Sequence, residues 1–253
     1  MKYYVGTSGY VYWHWKKLFY PEELPTSRWF DYYAKHFDTV EINATFYRWP
    51  NEGTVKGWKR KAEKLEKEGK NFLFTLKANQ TITHVKKLKN VKKIVKDFYK
   101  VADLLQPYLG CILFQLPPSL KFDEKKLKSF IECLDDKYKN VIEFRNISWW
   151  NEKTYEIMRN KAIFCIVSAP KLPEDFIKTH DTLYIRFHGK KAWYGSNYSD
   201  KELEEWAKKI KKTKADTYVY FNNDFNAYAV FNALKLKELL NHETTNKKRK
   251  RES

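Results

Sequence analysis

Short runs of alternating apolar and polar residues recur roughly every 30 residues along this chain, which is the length of a strand–helix unit. Amphipathic, lysine-rich segments separate them. Eight runs are predicted to contain strands, at 2–10, 39–43, 71–84, 110–119, 141–150, 162–170, 182–189 and 217–224. The segments between and after them are predicted to be helices, the sixth only a short turn or helix, at 26–36, 54–68, 91–106, 123–136, 151–160, 173–178, 199–213 and 226–240.

Strict alternation of strands and helices indicates parallel strands joined by crossover helices. Eight such units in 253 residues favour a closed (β/α)8 TIM barrel, an α/β fold. An open doubly wound sheet is the alternative, weakened because no GxGxxG turn follows the first strand. One domain is predicted over 1–239, followed by a basic tail at 240–253 that is predicted to be disordered because it lacks apolar periodicity.

The run VIEFRNISWW carries an unusual pattern at its end. Ile142 and Phe144 share one face of the strand, while Val141, Glu143 and Arg145 share the other. An acid and a base on one face, at the carboxyl end of a strand, are not expected from packing alone.

Other strands end in the same way. The polar residues that share a face at these ends are Glu41, Asn43, Lys77, Gln115, Arg186, His188, Asn222 and Asp224. Their apolar neighbours, expected to face the helices, are Ile42, Phe144, Ile185, Phe187 and Phe221. The polar set should therefore converge on the axis at the carboxyl-terminal mouth, where barrel active sites lie. His84 and Trp149 follow their strands closely and are expected to close over the mouth.

These residue types suggest acid–base chemistry on an anionic substrate. Glu143, Glu41, His188 and Asp224 are the catalytic candidates, as carboxylates and an imidazole that can move protons. The substrate-binding candidates are Asn43, Tyr47, Lys77, His84, Gln115, Arg145, Trp149, Arg186, Tyr194 and Asn222. An isolated Gln115 or Asn43 is more often a hydrogen-bonded core group, whereas six strand ends repeating one pattern favour a functional pocket.

A divalent metal held by Glu41, Glu143, His188 and Asp224 is the less favoured alternative, and no cofactor is assigned. Three cations on the same face offset the carboxylates, and no HxH or HExxH spacing occurs.

The net charge of the chain bears on the class of partner that it binds. The net charge is +18, of which the tail contributes +3, and a strongly basic body favours nucleic acid, DNA or RNA, or an anionic small molecule. The alternative explanation of the charge, a general coat of solvated lysine on the helices, is equally consistent with the sequence. Aromatic residues make up 17% of the chain and cluster in loops after strands, where their faces can stack on bases or sugar rings.

Cysteine usage and hydropathy bear on the compartment. Cys111 and Cys165 lie in apolar runs and are predicted to be core thiols of a reducing compartment. No signal peptide or apolar stretch of membrane length is visible, so a soluble, cytoplasmic protein without a membrane partner is expected.

Taken together, the motifs resemble a known family. GTSGY, FYP, VEINATFYR, the ITH that follows Lys77, QLPPS, VIEFRNISWW, YIRFHG and YFNND, spread over 3–235, are similar to the domain of unknown function 72, the YecE-like proteins. The resemblance implies a TIM barrel and leaves the basic tail outside. Tyr10 stands where the family usually has Trp. The motif positions that the resemblance carries over are Glu41, Asn43, Tyr47, Lys77, His84, Gln115, Glu143, Arg145, Trp149, Arg186, His188, Asn222 and Asp224.

The resemblance implies little about activity, and three functions stay open. The first is an enzyme, a hydrolase, that cleaves a phosphodiester or N-glycosidic bond in nucleic acid or a nucleotide. The second is a hydrolase or isomerase of a sugar or sugar phosphate, and the third is a nucleic-acid-binding barrel without catalysis. A ring of lysine around the mouth favours nucleic acid, whereas an even coat favours the small substrate. The sequence does not predict an oligomeric state.

Overall fold

The computed structural model describes the backbone of residues 1–249 and the side chains of residues 1–241. The strands are β1 Tyr3–Thr7, β2 Thr39–Ile42, β3 Leu73–Lys77, β4 Leu109–Gln115, β5 Asn140–Glu143, β6 Ile163–Ser168, β7 Thr182–Phe187 and β8 Asp216–Phe221. The α-helices are α1 Trp29–His36, α2 Ala44–Tyr47, α3 Glu52–Lys67, α4 Lys92–Asp103, α5 Glu124–Ile131, α6 Glu152–Met158, α7 Asp200–Lys212 and α8 Tyr228–Arg249.

All the strands pair in parallel, in the order β1-β8-β7-β6-β5-β4-β3-β2. The two outer strands of this order, β1 and β2, meet at a single bridge between Ser8 and Glu41. The sheet is therefore a nearly closed barrel with helices outside it, and the predicted (β/α)8 TIM barrel is confirmed.

A tyrosine hydroxyl completes the seam between β1 and β2. The hydroxyl of Tyr33, on α1, accepts the backbone N–H of Thr7 at 2.9 Å and donates to the carbonyl of Thr39 at 3.1 Å. A Cβ atom at Gly6 would lie 2.2 Å from that carbonyl, so β2 approaches β1 as closely as a glycine permits. One side chain thus satisfies two backbone groups that a regular ladder would have paired.

Two apolar layers hold the barrel. The layer inside it comprises Cys111, Leu113, Val141, Ile163, Cys165, Val167, Tyr184, Tyr218 and Tyr220. The larger layer, between strands and helices, includes Ile42, Phe144, Ile185, Phe187 and Phe221, as the alternation predicted. Cys111 and Cys165 are buried free thiols, which confirms their placement in the core.

The structure corrects several element boundaries. Residues 26–28 form a 3-10 turn and α1 begins at Trp29, while no helix forms at 173–178. The last helix is Tyr228–Arg249 instead of 226–240. Residues 250–253 of the predicted tail lie outside the described residues. Among the described helices, none is long and apolar enough to cross a membrane.

We expect Tyr33→Phe to destabilise the protein by about 1–3 kcal/mol, because the N–H of Thr7 and the carbonyl of Thr39 would be left buried without this partner. Urea unfolding measures the change. Tyr32→Phe is the matched control, since Tyr32 lies half-buried on the same helix and its hydroxyl makes no hydrogen bond to the described residues. Equal stability of the two variants would contradict the role of Tyr33 at the seam.

Candidate functional site

A buried arginine joins two carboxylates across the mouth of the barrel. Arg186 Nη1 donates to Glu143 Oε2 at 2.5 Å, and Arg186 Nη2 donates to Glu41 Oε1 at 2.6 Å. All three residues are fully buried. They come from the carboxyl ends of β2, β5 and β7, so the predicted convergence of these strand ends is confirmed.

Glu41 is held by two hydroxyls as well as by Arg186. Ser8 Oγ donates to Oε1 at 2.7 Å, and Tyr184 OH donates to Oε2 at 2.5 Å. Burial and the charge of Glu41 raise the pKa of Tyr184 well above its ordinary value, so this hydroxyl keeps its proton. The sequence-based set omitted Ser8 and Tyr184. Tyr184 shares the inward parity of Arg186, whereas Ser8 lies beyond the end of β1.

Glu143 is fully occupied by cationic and imidazole donors. Arg145 Nε donates to its Oε1, and His188 Nε2 lies 2.9 Å from the same oxygen. Burial raises the pKa of this carboxyl, but Arg145 and Arg186 outweigh it and hold the pKa well below its ordinary value. Glu143 is therefore ionised at neutral pH and is a scaffold anion instead of an available general acid.

His188 is engaged on both nitrogens. Asn222 Nδ2 lies 3.2 Å from its Nδ1, and its Nε2 lies 2.9 Å from Glu143 Oε1 and 3.1 Å from Arg145 Nη2. Burial and the nearby Arg145 lower the pKa of His188 well below its ordinary value, despite the opposing charge of Glu143. The neutral ring thus supports the ion cluster, and Asn222 orients it.

Asp224 does not join this cluster. Its carboxylate accepts Trp15 Nε1 at 2.7 Å and pairs with His14 Nε2 at 3.0 Å. Burial raises the pKa of Asp224 to about 6, against the lowering effect of Trp15 and His14. The expected alignment of Asp224 with the catalytic carboxylates is wrong, because the chain leaves β8 at Phe221 and turns before it reaches this residue.

This arrangement also bears on the metal alternative. Within the described residues, no group of three or more His, Cys, Asp or Glu side chains is placed to hold a metal ion. Asp224 lies apart from the other three proposed ligands, and Arg186 takes one oxygen of each glutamate. The proposed ligand set therefore does not fit a divalent cation.

Lys77 and His84 share one aromatic side chain. Lys77 Nζ lies 4.2 Å from the centre of the Phe46 ring, and the His84 ring packs edge-on against Phe46 at 4.9 Å. Lys77 is 8% exposed and has no carboxylate within ion-pair distance among the described residues. Burial, reinforced by Arg186, lowers the pKa of Lys77 to about 7. Burial and Lys77 also lower the pKa of His84.

Arg145 presents the remaining free donors of the mouth. Its guanidinium stacks on Trp193 at 4.5 Å, while Nε and Nη2 face Glu143 and His188. Nη1 makes no hydrogen bond to the described residues. Tyr194, half-exposed beside this stack, donates its backbone N–H to the carbonyl of His188 at 2.6 Å. Trp193 was missed as a site residue, although its loop stood out in the sequence as aromatic.

Three further predicted residues have different surroundings. Asn43 Nδ2 donates to the Ser8 carbonyl at 3.3 Å, and its buried Oδ1 has no partner among the described residues. Gln115 Nε2 donates to the neighbouring Leu116 carbonyl at 2.6 Å. Tyr47 is 71% exposed, so its binding role stays a prediction.

Trp149 does not close over the mouth. It is fully buried, stacks on Phe144 at 4.5 Å and donates its indole N–H to the Leu120 carbonyl at 2.7 Å. The expectation that it contacts substrate is wrong, because the 3-10 turn at Ile147–Trp149 folds its ring against the helix side of β5.

The mouth therefore contains a closed ion network and a small set of uncommitted groups. Glu41, Glu143 and Arg186 neutralise one another and their hydrogen bonds fix the strand ends. Arg145 Nη1, Lys77 and His84 are available to a ligand. This combination can bind an anion and move a proton at near-neutral pH.

Comparisons with known proteins give a family but no activity. The family described as "Protein of unknown function DUF72" matches residues 4–253, a range that includes the basic tail left outside by the motifs. The chain is 27% identical over 281 residues to UPF0759 protein YunF of Bacillus subtilis, with 95% of each chain covered. It is 27% identical over 134 residues to UPF0759 protein YecE of Escherichia coli K12, which covers 52% of this chain and 46% of that protein. A DUF72 family protein of Thermotoga maritima is 33% identical with a TM-score of 0.83, and the alignment covers 95% of this chain and 99% of that one.

We expect Glu143→Gln to destabilise the fold by about 3–5 kcal/mol, because it leaves two buried arginines short of counter-charge. Chemical denaturation compares it with Glu156→Gln, which removes an exposed carboxylate paired with Lys153. Similar small losses in both variants would show that the buried network is not what holds the mouth.

The same carboxylate predicts an acid dependence. Because the pKa of Glu143 is lower in the folded than in the unfolded protein, its stabilising effect is present above the ordinary pKa of about 4.3 and is lost as pH falls through the folded pKa. The difference in unfolding free energy between wild type and Glu143→Gln should therefore shrink below about pH 4. A constant difference from pH 7 to pH 2 would contradict the lowered pKa.

Proposed function

The chain belongs to the DUF72 family, and we propose that it is an enzyme that binds nucleic acid across the rim of its barrel and cleaves a phosphodiester or N-glycosidic bond in the mouth. The observation that carries this proposal is a basic rim segment, residues 86–96, beside the mouth. It follows β3, the strand that ends in Lys77.

The rim segment is dense in positive charge. Between 78 and 96 the sequence has no acidic residue, and its lysines are Lys86, Lys87, Lys89, Lys92, Lys93 and Lys96. All six side chains are exposed, and none forms an ion pair with a described residue. A phosphate backbone would find several adjacent cations there, as nucleic-acid binding requires.

Some lysines on other helices are arranged differently. Lys56 pairs with Glu52 on α3, and Lys128 pairs with Glu124 on α5, each within one helical turn. Paired, solvated lysine is the signature of a general charge coat. The lysines of the rim segment are not paired in this way with any described residue. A nucleic-acid strand that passes the mouth would contact them.

Within the mouth, the uncommitted groups have distinct roles. Arg145 is oriented by Glu143 and Trp193, which suits its free edge to a phosphate oxygen. Lys77 and His84 are the proton-transfer groups, because their pKa values are lowered toward or below neutrality. This assignment moves the acid–base role away from Glu143, Glu41 and His188, which stand as the scaffold of the site.

A hydrolase or isomerase of a sugar phosphate is the second candidate. The uncommitted mouth groups form a small set around Phe46, and a single phosphate with a short sugar would suffice to engage Arg145 and Lys77. In that case the rim segment would have no part in substrate binding.

We expect the triple variant Lys86→Gln, Lys89→Gln, Lys93→Gln to bind short single- and double-stranded DNA more weakly. The slope of log affinity against log salt should fall by about 1 for each lysine that contacts a phosphate. Fluorescence anisotropy over a salt series measures this. The matched control, Lys67→Gln, Lys70→Gln, Lys212→Gln, removes three exposed lysines from the opposite end of the barrel.

Equal loss in the two triple variants would mean that the charge acts as a general coat and would contradict binding at the rim. A gel assay for cleavage, run with Lys77→Met beside wild type, tests the catalytic part. Cleavage that survives Lys77→Met at the wild-type rate would contradict the assignment of Lys77 to the reaction.

A further inference from the structure

Lys77 differs from an ordinary buried lysine in lacking a counter-ion. Lysine is almost never fully buried unless it is paired. Here Glu41 and Glu143 lie in the same mouth but are taken up by Arg186, Arg145, Ser8 and Tyr184. The remaining contact of the Lys77 amine is with the Phe46 ring, whose centre lies 4.2 Å from Nζ. Lys77 therefore lies at a strand end without a carboxylate partner among the described residues, because Glu41 and Glu143 accept hydrogen bonds from other donors.

Such an amine is a nucleophile at neutral pH. Burial and Arg186 lower the pKa of Lys77 to about 7, so about half of it is uncharged at pH 7. For a lysine of ordinary pKa the uncharged fraction is below about one in a thousand. Desolvation beside another cation is one of the established ways to activate a lysine for covalent catalysis.

Its neighbour can supply and accept the proton that imine formation requires. His84 packs edge-on against the same Phe46 ring at 4.9 Å, and its Nδ1 lies 2.9 Å from Thr83 Oγ1. Its Nε2 has no hydrogen bond to a described residue. Arg145, stacked on Trp193, adds an anion-binding edge in the same mouth.

We propose that Lys77 forms a Schiff base with the carbonyl group of a phosphate-bearing aldehyde or ketone, with the phosphate on Arg145 and His84 as the acid–base partner. The substrate class is a sugar phosphate in its open form, either free or at an aldehyde-bearing position in nucleic acid. This inference rests on the proposed function in one respect, the binding of a phosphate by Arg145. It does not depend on the rim segment.

The step balances without an added reagent. The neutral Lys77 nitrogen attacks the carbonyl carbon, and a proton passes from nitrogen to oxygen to give a carbinolamine. His84 in its protonated form, the minor one at pH 7 because its pKa is lowered, donates its proton to the hydroxyl, which leaves as water while the nitrogen lone pair forms the C=N bond. The product is a cationic iminium and a neutral His84, and the iminium draws electrons from the bonds beside it.

The test is reductive trapping on the full chain. Wild-type protein at pH 7 is incubated with ribose 5-phosphate, or with a DNA oligonucleotide containing one abasic residue, and reduced with sodium cyanoborohydride. Peptide mass spectrometry then locates the adduct. We expect an adduct at Lys77 that forms at least about tenfold faster than at any other lysine. The probe that reacts distinguishes the free sugar from the nucleic-acid source.

Lys61 is the matched control within the chain. It is half-buried and lies over the Phe30 ring at 4.9 Å, and burial lowers its pKa as well, although Asp31 opposes the shift. Lys61→Arg should leave the trapped yield unchanged, whereas Lys77→Arg should abolish it. His84→Asn should slow trapping at Lys77 without moving the adduct to another residue.

The wild-type adduct map keeps the proposal falsifiable even if Lys77→Arg does not fold. Adducts spread over exposed lysines, or none at Lys77 with either probe, would overturn the Schiff base. If DNA binding does not depend on the rim lysines but ribose 5-phosphate is trapped at Lys77, the nucleic-acid function is overturned and this inference stands.

Discussion

The site depends on one buried guanidinium. Arg186 bonds to Glu41 on one side and to Glu143 on the other, and none of the three contacts solvent appreciably. Isolated charges in such a place would cost several kcal/mol each, so each partner needs the other two and their additional donors. Because the three residues end β2, β5 and β7, the same bonds that neutralise the charges fix the relative positions of three strand ends.

The network decides which groups are left for chemistry. The hydrogen bonds to Glu41, Glu143 and His188 are made within the protein, and these were the strongest acid–base candidates from residue type alone. Lys77 lies close enough to Arg186 to feel its charge but receives no carboxylate of its own. The carboxylates that would ordinarily hold a buried lysine protonated are instead bonded to arginine. The low pKa of the Lys77 amine therefore follows first from burial and then from the nearby charge of Arg186, with no carboxylate of the described residues bonded to the amine to offset them.

The alternation of residues predicted the convergence of Glu41, Glu143, Arg186 and His188, since parity holds for as long as a strand remains extended. It failed where the backbone had already turned. Asp224 and Trp149 follow the ends of β8 and β5 by a few residues, and neither joins the ion network.

The pairing of Asp224 with His14, 210 residues earlier in the chain, is visible only once the barrel is closed. The same holds for the lowered pKa of Lys77, which arises from tertiary burial. The motifs pointed to the family and the fold, whereas the division between scaffold and reactive groups required the hydrogen bonds.

The most direct test is the ionisation of Lys77 itself. Protein labelled with 13C at the lysine Cε positions can be titrated by NMR, with the Lys77 resonance assigned from Lys77→Arg or, if that variant does not fold, from through-space contacts to Phe46. A midpoint near pH 7 for this one resonance, with the exposed lysines titrating near their ordinary pKa of about 10.4, is the result that the ion network predicts. A Lys77 midpoint near 10 would show that the amine keeps its proton, and would contradict both its acid–base role and its reactivity as a nucleophile.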